Sequence, residues 1–372
     1  MNIKFNDLSK QWDIIREETL PRLEELFKKS DFIGGKAIEE FEKNFSNYCN
    51  TKYAVGVSNG TDALKISLAA LDLKSPCGII IPANTFIATA LAITYLSNIN
   101  YEIILIDCDQ FYQIDIELLE SYLKEYRRNW KSCVIIPVHL YGHPANMKRV
   151  IEIAKDFECF ILEDASQAHG SIVLNKKVGG LGDISAFSLY PGKNLGAAGD
   201  AGIITTNDEE LFNKVKALRN YGSFKKYEYE YRGWNNRLDT IQAIILDSKL
   251  KYLDKWNNMR IDVANKYNRL LHDNSNFITP KQAPYIDKQI YHIYAIRVKN
   301  RDDFQTYLAE HNIPTIIHYP IPIQKTKPFK YLDHFDNKRA LQYANELLSL
   351  PIYPFLDDVE IEYITETINN YF

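Results

Sequence analysis

Short apolar runs alternate with longer amphipathic stretches through about the first 220 residues. Residues 61–73, for example, place Leu64, Leu68 and Leu71 near one face of a helix. Such alternation predicts a mostly parallel sheet with helices on both faces. We predict strands at residues 53–57, 79–81, 102–107, 133–140, 159–163 and 184–189, and helices at 11–28, 36–47, 61–73, 86–96, 115–126 and 147–157.

The pattern changes in the last third of the chain. A long charged and aromatic helix is predicted from Arg237 to beyond Tyr267, followed by strands at 290–298 and 315–318 and a closing helix at 357–371. The polar and aromatic stretch 225–231 is predicted to be a mobile loop. These features indicate a large α/β domain over residues 1–245, including the N-terminal helices, and a small α+β domain over 246–372.

Lys193 is the first candidate for chemistry. It lies between a Pro-Gly turn and an Asn-Leu-Gly turn, directly after the predicted strand at 184–189. Ligands of parallel sheets gather at the carboxyl ends of the strands. Burial there lowers the pKa of a lysine and frees an amine that attacks carbonyl groups. A lysine taken at random is more often a solvated surface residue, so other parts of the chain must support this role.

Two further strand ends carry polar motifs that suit pyridoxal phosphate. Gly60 and Thr61 lie in a Ser-Asn-Gly-Thr turn before a helix, where backbone N–H groups favour a phosphate, although such residues are often only a helix cap. Asp164 follows the strand at 159–163, and a carboxylate there can hold a protonated pyridine nitrogen or be a solvated strand end. Gln167 is a candidate for the ring hydroxyl, and His169 is more often structural in such a position.

Two more residues complete the expected cofactor site. Phe86 lies just past the strand at 79–81 and is predicted to stack on the ring, although a phenylalanine is by default a core residue. Ser188 is predicted to donate a hydrogen bond to the phosphate.

Composition narrows the class of protein. The 372 residues include 44 basic and 48 acidic side chains, a net charge of −4 with no basic stripe for nucleic acid. The apolar runs are too short to span a membrane, and the N-terminus lacks the layout of a secretory signal. The five cysteines show no zinc-site spacing. We therefore expect a cytoplasmic protein with reduced, mostly buried thiols and no bound metal.

The order of these motifs resembles the sugar-nucleotide aminotransferases of the DegT/StrS type over nearly the whole chain. The matching segments are 32–35, 58–64, 81–85, 163–170, 187–196, 199–202, 233–237 and 318–320. The resemblance implies the pyridoxal phosphate fold of type I, as in aspartate aminotransferase. It implies that Lys193 is the Schiff-base lysine and moves the proton, and that Asp164 pairs with the ring nitrogen. It also implies a homodimer with shared active sites, in which Asn235 reaches the phosphate of the neighbouring subunit.

Two segments are similar to the subgroup that aminates 3-keto sugars. These are 219–227 and 317–322, and the resemblance implies a dTDP-3-keto-6-deoxyhexose as substrate and L-glutamate as amino donor. The predicted substrate residues are Tyr190, Tyr221, His318, Tyr319 and Gln324, the last of which stands where many relatives have histidine.

Three alternatives stay open from the sequence. The first is amination at C4 of a 4-keto-6-deoxyhexose, and UDP or GDP in place of dTDP is also open. The second is a pyridoxal phosphate-dependent lyase or dehydratase. The third is a homologue that binds the cofactor without turnover, against which the intact Lys193, Asp164 and Asn235 argue.

Overall fold

A seven-stranded sheet forms the centre of the molecule. The computed structural model describes residues 3–271, 273 and 275–372. The strand order is β1-β9-β8-β5-β4-β2-β3, and only β9 runs against its neighbours. The strands are β1 (Tyr53–Val57), β2 (Cys77–Pro82), β3 (Tyr101–Ile106), β4 (Ser132–Ile135), β5 (Phe160–Asp164), β8 (Ile184–Ser188) and β9 (Gly202–Thr206). Two short strands, β6 (Ile172–Val173) and β7 (Lys176–Lys177), form a separate hairpin.

Both faces of this sheet are buried, as the continuous apolar runs predicted. In β2, Ile79 and Ile81 pack into one hydrophobic cluster while Ile80 packs into the other, and all three are fully buried. Alternate side chains of a strand point to opposite faces, so an unbroken apolar run indicates a strand covered on both sides.

Helices cover the two faces. The seven helices between residues 3 and 218 are α1 (Ser9–Lys29), α2 (Lys36–Cys49), α3 (Gly60–Ala70), α4 (Ile87–Thr94), α5 (Ile116–Tyr126), α6 (Met147–Asp156) and α7 (Glu209–Leu218). Side-chain caps begin several of them: Asn59 accepts from the Asp62 N–H at 2.8 Å, and Asp115 caps α5 in the same way. Such caps satisfy backbone donors that the helix leaves free.

The predicted helix from Arg237 to beyond Tyr267 is wrong as one element. The structure has two helices, α8 (Thr240–Leu250) and α9 (Leu253–Leu270), separated at Lys251 and Tyr252. Helix α8 is buried nearly all round, whereas α9 buries one side. The two helices therefore pack in different environments.

A second, antiparallel sheet lies in the C-terminal part. It consists of β12 (Phe277–Ile278), β13 (Tyr294–Val298) and β14 (Leu347–Leu350), flanked by α10 (Arg301–Glu310), α11 (Lys338–Glu346) and α12 (Asp358–Tyr371). Strand β13 is shorter than the predicted strand at 290–298. The strand predicted at 315–318 is absent, and Ile316 forms only an isolated bridge with Ser349.

Two further predictions concern the loop at 225–231 and the domain boundary at residue 245. The stretch predicted as a loop at 225–231 takes part in a short exposed hairpin of β10 (Ser223–Lys225) and β11 (Glu228–Tyr229). The domain boundary at residue 245 stays a prediction and falls inside α8. No helix in the described ranges is long and apolar enough to cross a membrane.

Candidate active site

The carboxyl edge of the large sheet borders a cavity of about 790 Å³. Its lining comes from the ends of several strands, as expected for a sheet with parallel strands. Ten of the predicted site residues lie on its wall: Gly60, Thr61, Phe86, Asp164, Gln167, Ser188, Tyr190, Lys193, His318 and Tyr319.

Lys193 is presented by a tight turn after β8. Its backbone N–H donates a hydrogen bond to the Tyr190 carbonyl at 2.8 Å, and the Ala197 N–H donates to the Leu189 carbonyl at 2.8 Å. Gly196 is required in this turn, because a Cβ there would lie 2.2 Å from the Pro191 carbonyl oxygen. The side-chain amine has no hydrogen-bond partner within the described residues.

The electrostatic environment prepares this amine for chemistry. Burial lowers the pKa of Lys193 to about 8, and the negative charge of Asp164 opposes that shift. A lower pKa increases the fraction of neutral amine, which is the form that attacks a carbonyl and accepts a proton. The prediction that the turn holds a partly desolvated lysine is consistent with this environment.

Asp164 is a buried carboxylate held by neutral donors. Its Oδ2 accepts from the Thr89 hydroxyl at 2.8 Å, and its Oδ1 accepts from the Ser166 N–H at 3.2 Å. The Thr85 hydroxyl lies 2.9 Å from that of Thr89, and because the Thr89 hydrogen points to Asp164, Thr85 is the donor in that pair. A buried anion with neutral donors keeps an affinity for a cationic group.

The Gln167 amide and the Tyr319 and Phe86 rings line the same cavity as Asp164. The Tyr141 N–H donates to Gln167 Oε1 at 2.7 Å, and Gln167 Nε2 donates to the Tyr319 hydroxyl at 3.0 Å. The Phe86 ring lies 5.3 Å from that of Tyr319 and is 51% exposed, so it faces the cavity and not the core. One hydrogen of the Gln167 amide therefore stays free for an oxygen in the cavity.

The turn at the start of α3 is in close contact with the end of β8. A Cβ on Gly60 would lie 2.6 Å from the Ser188 Cβ and 3.0 Å from its Cα. Gly60 and Thr61 are the first residues of the helix, so their N–H groups have no partner inside it. Free N–H groups at a helix N-terminus beside a serine hydroxyl suit a phosphate.

Three predicted residues lie outside this cavity. Asn235 lines an adjoining cavity of about 430 Å³, which shares Asn59 and Asp200 with the first. Tyr221 is 47% exposed, and the Arg237 guanidinium lies 5.5 Å from its ring centre. Gln324 is fully buried, and neither polar atom of its side chain has a partner in the described structure. The structure thus does not bring these three residues to Lys193 within the chain.

Several residues of the wall were not predicted from the sequence. Thr89 lies one helical turn from Thr85, and that spacing was the available signal. His292 lines the cavity, although it falls within the predicted strand at 290–298, and Phe5 and Asn6 come from the N-terminal segment. His169 is buried with its ring 5.3 Å from that of Phe187, and burial and the charge of Lys193 lower its pKa to about 3.

The residues of the cavity fit pyridoxal phosphate as a set. The Gly60 turn leaves no room for a side chain and offers N–H groups to a phosphate, and Asp164 offers a buried negative charge to a ring nitrogen. Gln167 has a free N–H for the ring oxygen, and the Lys193 amine is free to react. The donors and the charge of the site thus match the chemical groups of this cofactor.

Comparison with known proteins gives one consistent result. Residues 13–369 match the model of the DegT/DnrJ/EryC1/StrS aminotransferase family. The chain is 40% identical over 370 residues to the dTDP-3-amino-3,6-dideoxy-alpha-D-galactopyranose transaminase of Aneurinibacillus thermoaerophilus, covering 99% of both chains.

Solved structures agree with this assignment. DesV of S. venezuelae, determined in complex with a ketimine intermediate, superposes with a TM-score of 0.93 at 33% identity, covering 100% of this chain and 98% of that one. NtdA of Bacillus subtilis, determined with bound PMP, gives a TM-score of 0.85 at 29% identity over 96% of this chain and 81% of that one. The predicted family, fold and cofactor are confirmed. The chain belongs to the DegT/DnrJ/EryC1/StrS aminotransferase family and is a pyridoxal phosphate-dependent transaminase.

Proposed function

We propose that this protein transfers an amino group from L-glutamate to C3 of a dTDP-linked 3-keto-6-deoxyhexose. The observation that carries the proposal is the presence of Lys193 and Asp164 in one cavity, in a chain 40% identical to a dTDP-3-amino-sugar transaminase over its full length. A cavity of about 790 Å³ also falls in the range of small-molecule sites.

The residues of the chain divide the chemistry between them. Pyridoxal phosphate, when bound, supplies an electron sink for the carbon that loses a proton. Lys193 would hold the cofactor through Nζ until the amino donor takes its place, and its neutral amine would then take the proton from the donor carbon. In the second half-reaction the same amine would deliver a proton to the sugar carbon that receives the amino group. Asp164 would pair with the ring nitrogen and so help the cofactor to take up electrons.

Amination at C3 rests on two supports. The name of the Aneurinibacillus relative describes a 3-amino sugar linked to dTDP. The segments 219–227 and 317–322 are similar to the subgroup that acts on 3-keto sugars. A 4-keto-6-deoxyhexose is the second candidate for the amino acceptor.

Three residues of the wall suit the sugar. Tyr190 is 57% exposed at the cavity, and we assign its hydroxyl to the sugar or its phosphates. His318 Nδ1 lies 2.8 Å from the Ser349 hydroxyl, and burial lowers the pKa of His318 to about 4, so the ring is neutral near pH 7. Tyr319 is held by Gln167. We assign both rings to substrate contacts next to Lys193.

We also propose a homodimer in which Asn235 acts across the interface. Asn235 faces a separate cavity that shares Asn59 and Asp200 with the Lys193 cavity, so a second copy would approach the phosphate turn from that side. Tyr221 is then available to the neighbouring site. Gln324 is assigned to the support of the site wall, since its side chain is fully buried.

A cytoplasmic location is part of the proposal. All five cysteines are free thiols and four of them are buried, as expected for a protein that folds in a reducing compartment.

The test is the visible spectrum of the purified protein with pyridoxal phosphate. L-glutamate should remove the band of the lysine-bound cofactor and release 2-oxoglutarate, and a dTDP-3-keto-6-deoxyhexose should restore the band. Restoration by the 4-keto sugar alone would move the amination to C4. A band that does not respond to glutamate would contradict transamination from this donor and favour the lyase or the binding-only homologue.

A further inference from the structure

His292 is a residue of the cavity wall to which nothing above gives a role. It lies two residues before β13, is half-buried, and lines the same cavity as Lys193. Its backbone carbonyl accepts a hydrogen bond from the buried Arg260 guanidinium at 3.4 Å. This hydrogen bond fixes the main chain at His292. What the side chain can do depends on which ring nitrogen is free in the cavity and on whether that nitrogen carries a hydrogen.

A chain of buried amides determines which ring nitrogen of His292 carries the hydrogen. It starts at the backbone carbonyl of His169, which can only accept, so the Asn257 Nδ2 that lies 2.8 Å away is its donor. The Asn257 Oδ1 must then face the other way, and it accepts from Asn194 Nδ2 at 2.7 Å. Both amides are buried, with Asn194 at 3% and Asn257 at 0% exposure. Turning either one over would break these hydrogen bonds without replacement by water.

The end of this chain defines the tautomer of His292. Asn194 presents its Oδ1 to His292 Nδ1 at 3.0 Å, and an amide oxygen only accepts, so Nδ1 carries the hydrogen. A neutral imidazole has one N–H, which leaves a lone pair on Nε2. Nε2 has no hydrogen-bond partner in the part of the chain that the structure describes.

The charges around the ring keep it neutral. Burial lowers the pKa of His292 well below its usual value, and the positive charges of Lys193 and Arg260 and the rings of His318 and His169 add to that shift. The lone pair on Nε2 is therefore available near pH 7.

The two proposed substrates differ in what they can offer to a lone pair. The carboxylates of glutamate are acceptors only and its amino group is the group that reacts, whereas a keto sugar carries hydroxyl donors next to its carbonyl. Lys193 must reach the reacting carbon. The ring of His292 is held by Asn194, which directly follows Lys193 in the chain. A group bound to the carbon next to the reacting one is therefore the natural partner of Nε2.

We propose that His292 is a specificity-determining residue whose Nε2 accepts a hydrogen bond from a sugar hydroxyl on a carbon next to the reacting carbonyl. The proposal rests on the proposed function, because it requires a keto sugar as the amino acceptor. Asn194 and Asn257 act as positioning residues that maintain the Nδ1–H tautomer.

The test compares two substitutions in the holoenzyme. His292→Asn keeps an amide donor near the Nδ1 position and removes the distal acceptor, whereas His292→Gln extends an amide oxygen toward the Nε2 position. The two half-reactions are followed separately through the cofactor spectrum. We expect His292→Asn to lower kcat/KM for the keto sugar by about 10- to 100-fold. The glutamate half-reaction should change by less than about 3-fold, and His292→Gln should recover part of the loss.

A deoxy analogue makes the test independent of folding. With wild-type protein, keto sugars that lack one neighbouring hydroxyl in turn should include one with the same loss of about 10- to 100-fold. His292→Asn should add little to that loss. Equal losses in both half-reactions, or a sugar half-reaction unaffected by His292→Asn, would overturn the inference alone. A wild-type protein that accepts no keto sugar would overturn the proposed function with it.

Discussion

Replacement of Gly60 by alanine tests the phosphate turn most directly. The added Cβ would lie 2.6 Å from the Ser188 Cβ and 3.0 Å from its Cα. Ordinary contacts begin at 3.4 Å, so the start of α3 and the end of β8 must separate by up to 0.8 Å. Gly60 is buried, and Ser188 is half-buried between the buried residues Phe187 and Leu189, so neither backbone can yield without disturbing its neighbours.

The structure allows the cost to be estimated. Overpacking of this kind destabilises a protein by about 1–3 kcal/mol. A displacement close to 1 Å at a functional site can lower a rate by about 100-fold. We therefore expect Gly60→Ala to lower the free energy of unfolding by about 1–3 kcal/mol and to weaken pyridoxal phosphate binding by at least about 10-fold.

The assay is a titration of the cofactor-free protein with pyridoxal phosphate, read by absorbance, together with urea denaturation. Gly192→Ala is the matched control, because Gly192 lines the same cavity while a Cβ there would meet only the Tyr190 ring at 3.6 Å. The control should bind pyridoxal phosphate within about 3-fold of wild type. If Gly60→Ala binds the cofactor as tightly as Gly192→Ala, the contact between α3 and β8 does not form the phosphate site, and the reasoning is refuted.

Three further predictions concern charged groups in and behind the site. Cofactor-free protein should react with pyridoxal phosphate faster as the pH rises, with a midpoint near pH 8. The reason is that the neutral amine of Lys193 prevails above its pKa of about 8. A rate that does not change between pH 7 and 9, about one unit on either side of that pKa, would contradict this prediction. Asp164→Asn should slow the glutamate half-reaction at least about 100-fold in stopped-flow absorbance, because the charge beside the ring is lost, while Thr89 and Ser166 keep their positions. Glu163→Gln should cost about 3 kcal/mol in urea denaturation. The fully buried Glu163 carboxylate accepts from His139 and four other donors, and a stability equal to wild type would show that this network is dispensable.

The predictions that succeeded depended on local patterns. Apolar runs of strand length alternate with amphipathic stretches, and the start and end of most elements in the large sheet lie within a few residues of the predicted bounds. Lys193 and Asp164 were found because each follows a strand, and parallel strands end at the same edge. Strand β9 was not predicted, since its antiparallel pairing with both β1 and β8 depends on residues far away in the chain.

The predictions that failed concern boundaries that packing decides. The charged and aromatic pattern runs on without a proline or glycine from Thr240 to Leu270, so one helix was predicted where α8 and α9 are separate. In the same way, Thr315 and its neighbours have the composition of a strand, but only Ile316 pairs with β14. Local propensity is a weak preference that tertiary contacts override.

The sequence by itself determined the turns, the charged groups and the side chains available for pyridoxal phosphate chemistry, because these follow from residue type and short-range spacing. Only the tertiary structure decided which groups meet. It placed Lys193 in one cavity with Asp164, and it joined His292 to Asn194 across 98 positions and Asn194 to Asn257 across 63. A lowered pKa and a defined tautomer both require neighbours and the exclusion of water, and these arise when distant segments pack together.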